Sequence, residues 1–185
     1  ARYGGKLGES TYGRWYVTGN NRNSNTQTDG GDGHDGWNTM QTGFRSDGTV
    51  GGKNEWTIQG DLFKNDGDQI VFPYWLDRPP FLQADYGQYS TEGGNLKGSW
   101  QHTLSGGDRL SVKAYYDNNT RDESYYLQEF QTVDLDVQHE TRFGEYHNIT
   151  LGGGYRRVEG QFGNTFQVSI PDQTNELYSA FLQDE

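Results

Sequence analysis

The stretch Leu110-Ser111-Val112-Lys113-Ala114-Tyr115-Tyr116 alternates apolar and polar side chains, and Val133-Asp134-Leu135-Asp136-Val137-Gln138 repeats the pattern with carboxylates on the polar side. Successive side chains of a β-strand leave opposite faces, so a period of two marks a strand with one apolar and one wet face. The same alternation recurs outward from these segments. Trp56, Ile58 and Leu62 oppose Glu55, Thr57, Gln59 and Asp61; Leu96, Gly98, Trp100 and Leu104 oppose Asn95, Lys97, Ser99, Gln101 and Thr103. Ile149, Leu151, Gly153 and Tyr155 oppose Asn148, Thr150 and Arg156. Weaker versions fall at 11–19 (Trp15, Val17), 37–46 (Met40, Phe44) and 176–184 (Tyr178, Ala180, Leu182), with a short strand at 2–7. No segment carries a helical stripe. The pattern predicts an all-β chain of about nine strands.

Composition narrows the classes. Of 185 residues, 30% are hydrophobic, yet 15% are aromatic and 27 are glycine. Disordered chains are poor in aromatics, whereas strands joined by turns use Tyr, Thr, Gly, Asn and Asp in this way. The absence of cysteine excludes disulfides, thiolate metal sites and thiol nucleophiles. A net charge of -11 repels phosphate backbones, which argues against nucleic-acid partners. No run approaches the ~18 apolar residues of a membrane helix, but barrel strands cross a bilayer with weak hydrophobicity per segment. Residues 1–20 lack a signal-peptide pattern, and the reading expects a removed leader or a start inside a longer chain.

Connections are expected to alternate in length. Short glycine-bearing turns are read at 7–10, 47–53, 105–108 and 142–146, and long connections at 20–36, 64–93, 117–126 and 157–174. Membrane barrels segregate their loops in this way, with short turns on one side and long loops on the other. Charges at Lys97, Lys113, Asp134, Asp136 and Arg156 on the polar faces suit a wet lumen, and the apolar faces suit lipid. Aromatics at strand ends, including Trp15, Trp37, Trp56, Trp100, Tyr116, Phe143, Tyr146 and Tyr155, fit interfacial girdles, or equally cross-strand packing. The same alternation also suits a small soluble barrel or sandwich that binds a ligand or glycan with its polar face in water, and a surface adhesion or structural protein stays open beside it.

Several segments resemble the barrel strands that follow the plug of TonB-dependent receptors. They include Arg2-Tyr3-Gly4-Gly5-Lys6-Leu7, Gly36-Trp37-Asn38 leading to Gly43-Phe44-Arg45, and Thr57-Ile58-Gln59-Gly60-Asp61-Leu62. The closest runs from Gly94-Asn95-Leu96-Lys97-Gly98-Ser99-Trp100 through Leu110–Asp117, followed by Asp134–His139, Leu151–Arg156 and Leu177–Glu185. The resemblance covers strands rather than loops. It implies that 1–185 is a single segment from the N-terminal part of a larger receptor barrel, without plug, in a bacterial outer membrane. The parent would import iron–siderophore complexes or another scarce nutrient with energy from TonB. Implied partners are outer-membrane lipid, the small-molecule ligand, and TonB and the plug in the parent; no cofactor is implied.

Candidate sites follow from unusual loops. The segment Ile70–Leu82 is apolar, aromatic and proline-stiffened, and Phe72, Tyr74, Trp75, Arg78 and Phe81 are the candidate ligand contacts, unless the loop packs on itself. Asp29, Asp32 and Asp35 recur every third residue beside His34, a spacing that suits a Ca²⁺ loop but lacks its closing bidentate Glu; a solvated loop is the simpler reading. His102, His139 and His147 read as surface or girdle residues rather than metal ligands. The charged faces form an expected ladder that would bond the plug and water. No phosphate loop, nucleophile elbow or metal-ligand spacing is present, and the Asp134/Asp136 pair alone makes no hydrolase, so no enzyme is expected.

Overall fold

The computed structural model describes residues 1–74, 77, 79–166 and 168–185. Nine antiparallel strands follow one another as a meander in one sheet, β1 to β9 in order: Arg2–Lys6, Thr11–Arg22, Trp37–Val50, Asn54–Val71, Asp85–Thr103, Arg109–Glu123, Tyr126–Phe143, His147–Gly163 and Gln173–Asp184. No helix forms among the described residues. The sheet is not closed, so β1 and β9 are its edges.

All nine expected strands form, but most run further than their alternation reaches. β4 has 18 residues and β5 has 19. At ~3.3 Å per residue each is about 60 Å long, whereas about 9–11 tilted residues cross a bilayer. The extra length lies where long loops were expected. Segments 64–71 and 85–92 pair with each other, as do 117–123 and 126–132, because polar residues still donate to a ladder. The connections at that end shrink to 23–36, 72–84, 124–125 and 164–172. At the other end they are 7–10, 51–53, 104–108 and 144–146, three of them turned by glycines at positive φ, such as Gly51 (62°), Gly107 (95°) and Gly144 (69°).

Among the described residues no hydrophobic side chain is buried. Leu62 is 64% exposed, Leu135 42% and Leu151 46%. The register sets them side by side on one face. One row runs Tyr3, Trp15, Phe44, Gly60, Leu96, Tyr116 and Val133 across seven strands; another runs Ile58, Gly98, Ala114, Leu135, Tyr155 and Tyr178. Two rows towards the long-connection end the same face becomes polar, with Lys64, Glu92, Thr120, Glu129 and Gln161 aligned. The band also steps across the rows. Its upper limit is Leu62 on β4, one row lower at Leu96 and Val133 on β5 and β7, and lower again at Tyr155 and Tyr178 on β8 and β9.

Among the described residues, the buried ones are glycines, joined by Pro73. A large side chain from the directly opposed strand position lies across several of them: Phe44 over Gly60, Trp56 over Gly48, and Phe130 over Gly160. A Cβ on Gly48 or Gly160 would sit 2.6 Å from the ring, which is why these positions carry none. Such ring-on-glycine pairs replace a core as the unit that ties strand to strand.

Candidate functional site

The polar face gathers the charges of adjacent strands into two neighbouring rows. One runs Arg14, Arg45, Gln59, Lys97, Tyr115, Asp134 and Arg156; the next runs Tyr12, Asp47, Thr57, Ser99, Lys113 and Asp136. All five polar residues expected from alternation, Lys97, Lys113, Asp134, Asp136 and Arg156, therefore share this face. Arg156 Nε donates to Asp134 Oδ2 at 2.6 Å, and Lys113 stands directly opposite Asp136. Arg14, Tyr16, Arg45, Asp47 and Asp61 belong to the same array and were not singled out from the sequence. Their signal was present, since each lies an odd number of residues from Trp15, Val17, Phe44 or Leu62 on the same strand. Arg45 Nε and Thr57 Oγ1 both donate to Asp47, at 2.9 and 2.7 Å, and Tyr16 reaches over Gly43 to bond Asp61. A carboxylate held by a guanidinium and a hydroxyl stays charged and fixed in place.

At the other end of the strands, the proline-rich connection leaves Phe72, Tyr74 and Phe81 more than half exposed, at 60%, 65% and 54%, with Tyr74 bridged to Leu82. Among the described residues of this segment, Pro73 alone is buried. Trp75 and Arg78, the other two expected contacts, lie outside the described residues. Loop 23–36 folds towards the base of this hairpin, and the His34 ring meets Tyr86 at 4.4 Å. Between the loop and the polar ends of β3 to β6 lies a cleft of about 1180 Å³, lined by Arg22, Asp32, Asp66, Asp68, Asp122 and Glu123 among others.

The loop's aspartates are spent on its own backbone. Asp29 accepts from Gly31 N–H (2.9 Å), Asp32 from His34 N–H (2.8 Å) and Asp35 from Asn25 N–H (2.7 Å). Those bonds hold the Asp32 and Asp35 carboxyls below the ordinary carboxylate range. Each therefore acts as a turn former rather than as a ligand aimed at a common centre, and no metal-ligating group of three forms among the described residues. Of the histidines, His102 bonds Asn54 (2.8 Å) and stacks on Trp100, His147 bonds Asp184 (2.7 Å), and His139 stands between Leu110 and Leu151 at the lower margin of the apolar band. No protein family and no curated protein matches this sequence.

Proposed function

We propose that this chain is a segment of a bacterial outer-membrane barrel of the TonB-dependent receptor type, whose parent imports a scarce nutrient. The apolar band carries the reading. Side chains such as Trp100, Leu135 and Leu151 stay exposed on one face while the opposite face is charged, the reverse of a water-soluble sheet folded over a core. The oblique step of the band adds support. Barrel strands tilt by about 35–45°, so a flat bilayer cuts hydrogen-bonded rows at an angle.

In this reading Trp56, Ile58, Leu110, Val112, Leu135 and Leu151 meet lipid. The ladder of Lys97, Lys113, Asp134, Asp136 and Arg156 faces a wet lumen, bonding water and the plug. Phe72, Tyr74 and Phe81 stand at the outer mouth, and the polar halves of β4 to β8 raise that mouth above the bilayer. The resemblance points to iron–siderophore complexes as the first cargo class to try. The segment works as wall and mouth rather than as an enzyme, with energy coming from TonB.

The test is depth-resolved quenching. Single-tryptophan versions retaining Trp56, Trp100 or Trp37 are refolded into vesicles carrying brominated acyl chains. Trp56 and Trp100 should be quenched strongly and Trp37, on the opposite face and beyond the band, weakly. A monodisperse β-rich monomer in plain buffer, with no quenching at any site, would replace this reading with a soluble ligand-binding barrel.

A further inference from the structure

Above the charged ladder, the polar face changes character. One row reads Phe63, Gly93, Asn119, Phe130 and Gly160; the next reads Asn65, Thr91, Arg121, Gln128 and Phe162; and Tyr89 stands beyond them opposite Gly67. Three of the rings lie over the glycines they face. Built Cβ atoms on Gly93, Gly67 and Gly160 would lie 3.2, 2.6 and 2.6 Å from Phe63, Tyr89 and Phe130, and Phe162 meets Phe130 edge-on with centroids 5.7 Å apart. All four rings are only partly buried. With one side against a glycine backbone, Phe63, Tyr89 and Phe130 each offer an outer π-face without having to be ordered first, and Phe162 stands edge-on beside Phe130. Phe63 and Phe130 stand three inter-strand steps apart, about 14 Å, with amides and hydroxyls between them.

Charge decides what such a wall takes. Segments 20–41, 63–93, 117–132 and 157–175 hold fourteen acidic and five basic residues, so nine of the eleven net negative charges lie at this end. The wall's own cation, Arg121, is occupied by Glu123, and Arg22 turns to Asn25 at 3.5 Å. An anionic chelate would meet net repulsion, and the described cation on the wall itself is already paired. Flat rings interleaved with uncharged amides and hydroxyls match the apolar faces and hydroxyl edges of sugar rings. Resting on the receptor reading above, and departing from the cargo class that resemblance suggests, we infer that the face centred on Phe63, Tyr89, Phe130 and Phe162 binds a neutral oligosaccharide.

The experiment uses the full chain refolded into vesicles and titrated calorimetrically with neutral gluco-, galacto-, manno- and xylo-hexasaccharides. A sulfated hexasaccharide, ferric citrate and spermine serve as charged comparators. At least one neutral glycan should bind. Phe63→Ala and Phe130→Ala should each weaken it by about tenfold, a typical loss for one stacked ring, while Leu135→Ala on the apolar face leaves it unchanged and circular dichroism shows all variants folded. Binding of none of the neutral glycans, equal binding of an anionic comparator, binding of spermine alone, or indifference to both Phe variants overturns the inference. Successful depth quenching with a failed titration removes this inference alone; failed quenching removes the receptor reading beneath it.

Discussion

At the residue scale, glycine does the work that a buried leucine does elsewhere. Gly48 lies under Trp56, and any added side chain displaces that ring. In an isolated strand Val would be preferred to Gly, so the sign of Gly48→Val is informative. It should destabilise by about 1–3 kcal/mol, the usual range for overpacking, measured by urea unfolding from lipid vesicles; a gain in stability would show that the ring contact contributes nothing. The two faces can be separated just as locally. Leu135→Arg should cost about 2–4 kcal/mol at the bilayer midplane. Thr132→Arg, on the polar face opposite Asp117, should cost much less. Thr132 is a better control than the adjacent Asp134, because Asp134 is already committed to Arg156. Equal costs from the same unfolding measurement would sink the assignment of faces.

At the element scale, the connections divide into five tight turns and three longer segments, 23–36, 72–84 and 164–172. The 124–125 turn is as short as any at the opposite end, against an expected long connection over 117–126, because Asp117–Glu123 pairs fully with Tyr126–Thr132. Local polarity reads as loop, but a polar strand beside a polar strand keeps its hydrogen bonds. Loop 23–36 is ordered by carboxylates, and its pH response follows. Asp32 and Asp35 titrate lower in the folded loop than in an open chain, so their stabilisation is present above about pH 4 and is lost as pH falls through the depressed folded values. Amide exchange at Asn25 and His34 should therefore remain slow from pH 7 down to about 4 and rise steeply below it. Loss of protection already near pH 6 would contradict this role for the carboxylates.

At the scale of the whole molecule, the sheet has an apolar band with nothing over it and two free edges. Every residue of β9 is exposed, including Tyr178, Leu177 and Leu182. Uncovered apolar surface and unpaired strand edges both drive association in water. Size exclusion with light scattering should show aggregates in buffer and a β-rich species of defined mass once detergent coats the band. A soluble monomer of 21.0 kDa without detergent would mean that the band packs against itself.

The alternation of residues such as Leu110–Tyr116 and Val133–Gln138 determined by itself that the chain is all-β, how many strands it has and which face each side chain takes, because a two-residue period is a local property of extended backbone. Lys97, Lys113, Asp134, Asp136 and Arg156 were legible for that reason. Only the tertiary structure decided where the strands end, that Arg14, Arg45 and Asp47 join the same array, that Phe63 and Phe130 lie across glycines, and that the apolar band runs obliquely. All of these depend on register, the pairing of residues tens of positions apart, and register is set by the fit of neighbouring strands rather than by any one strand's own sequence.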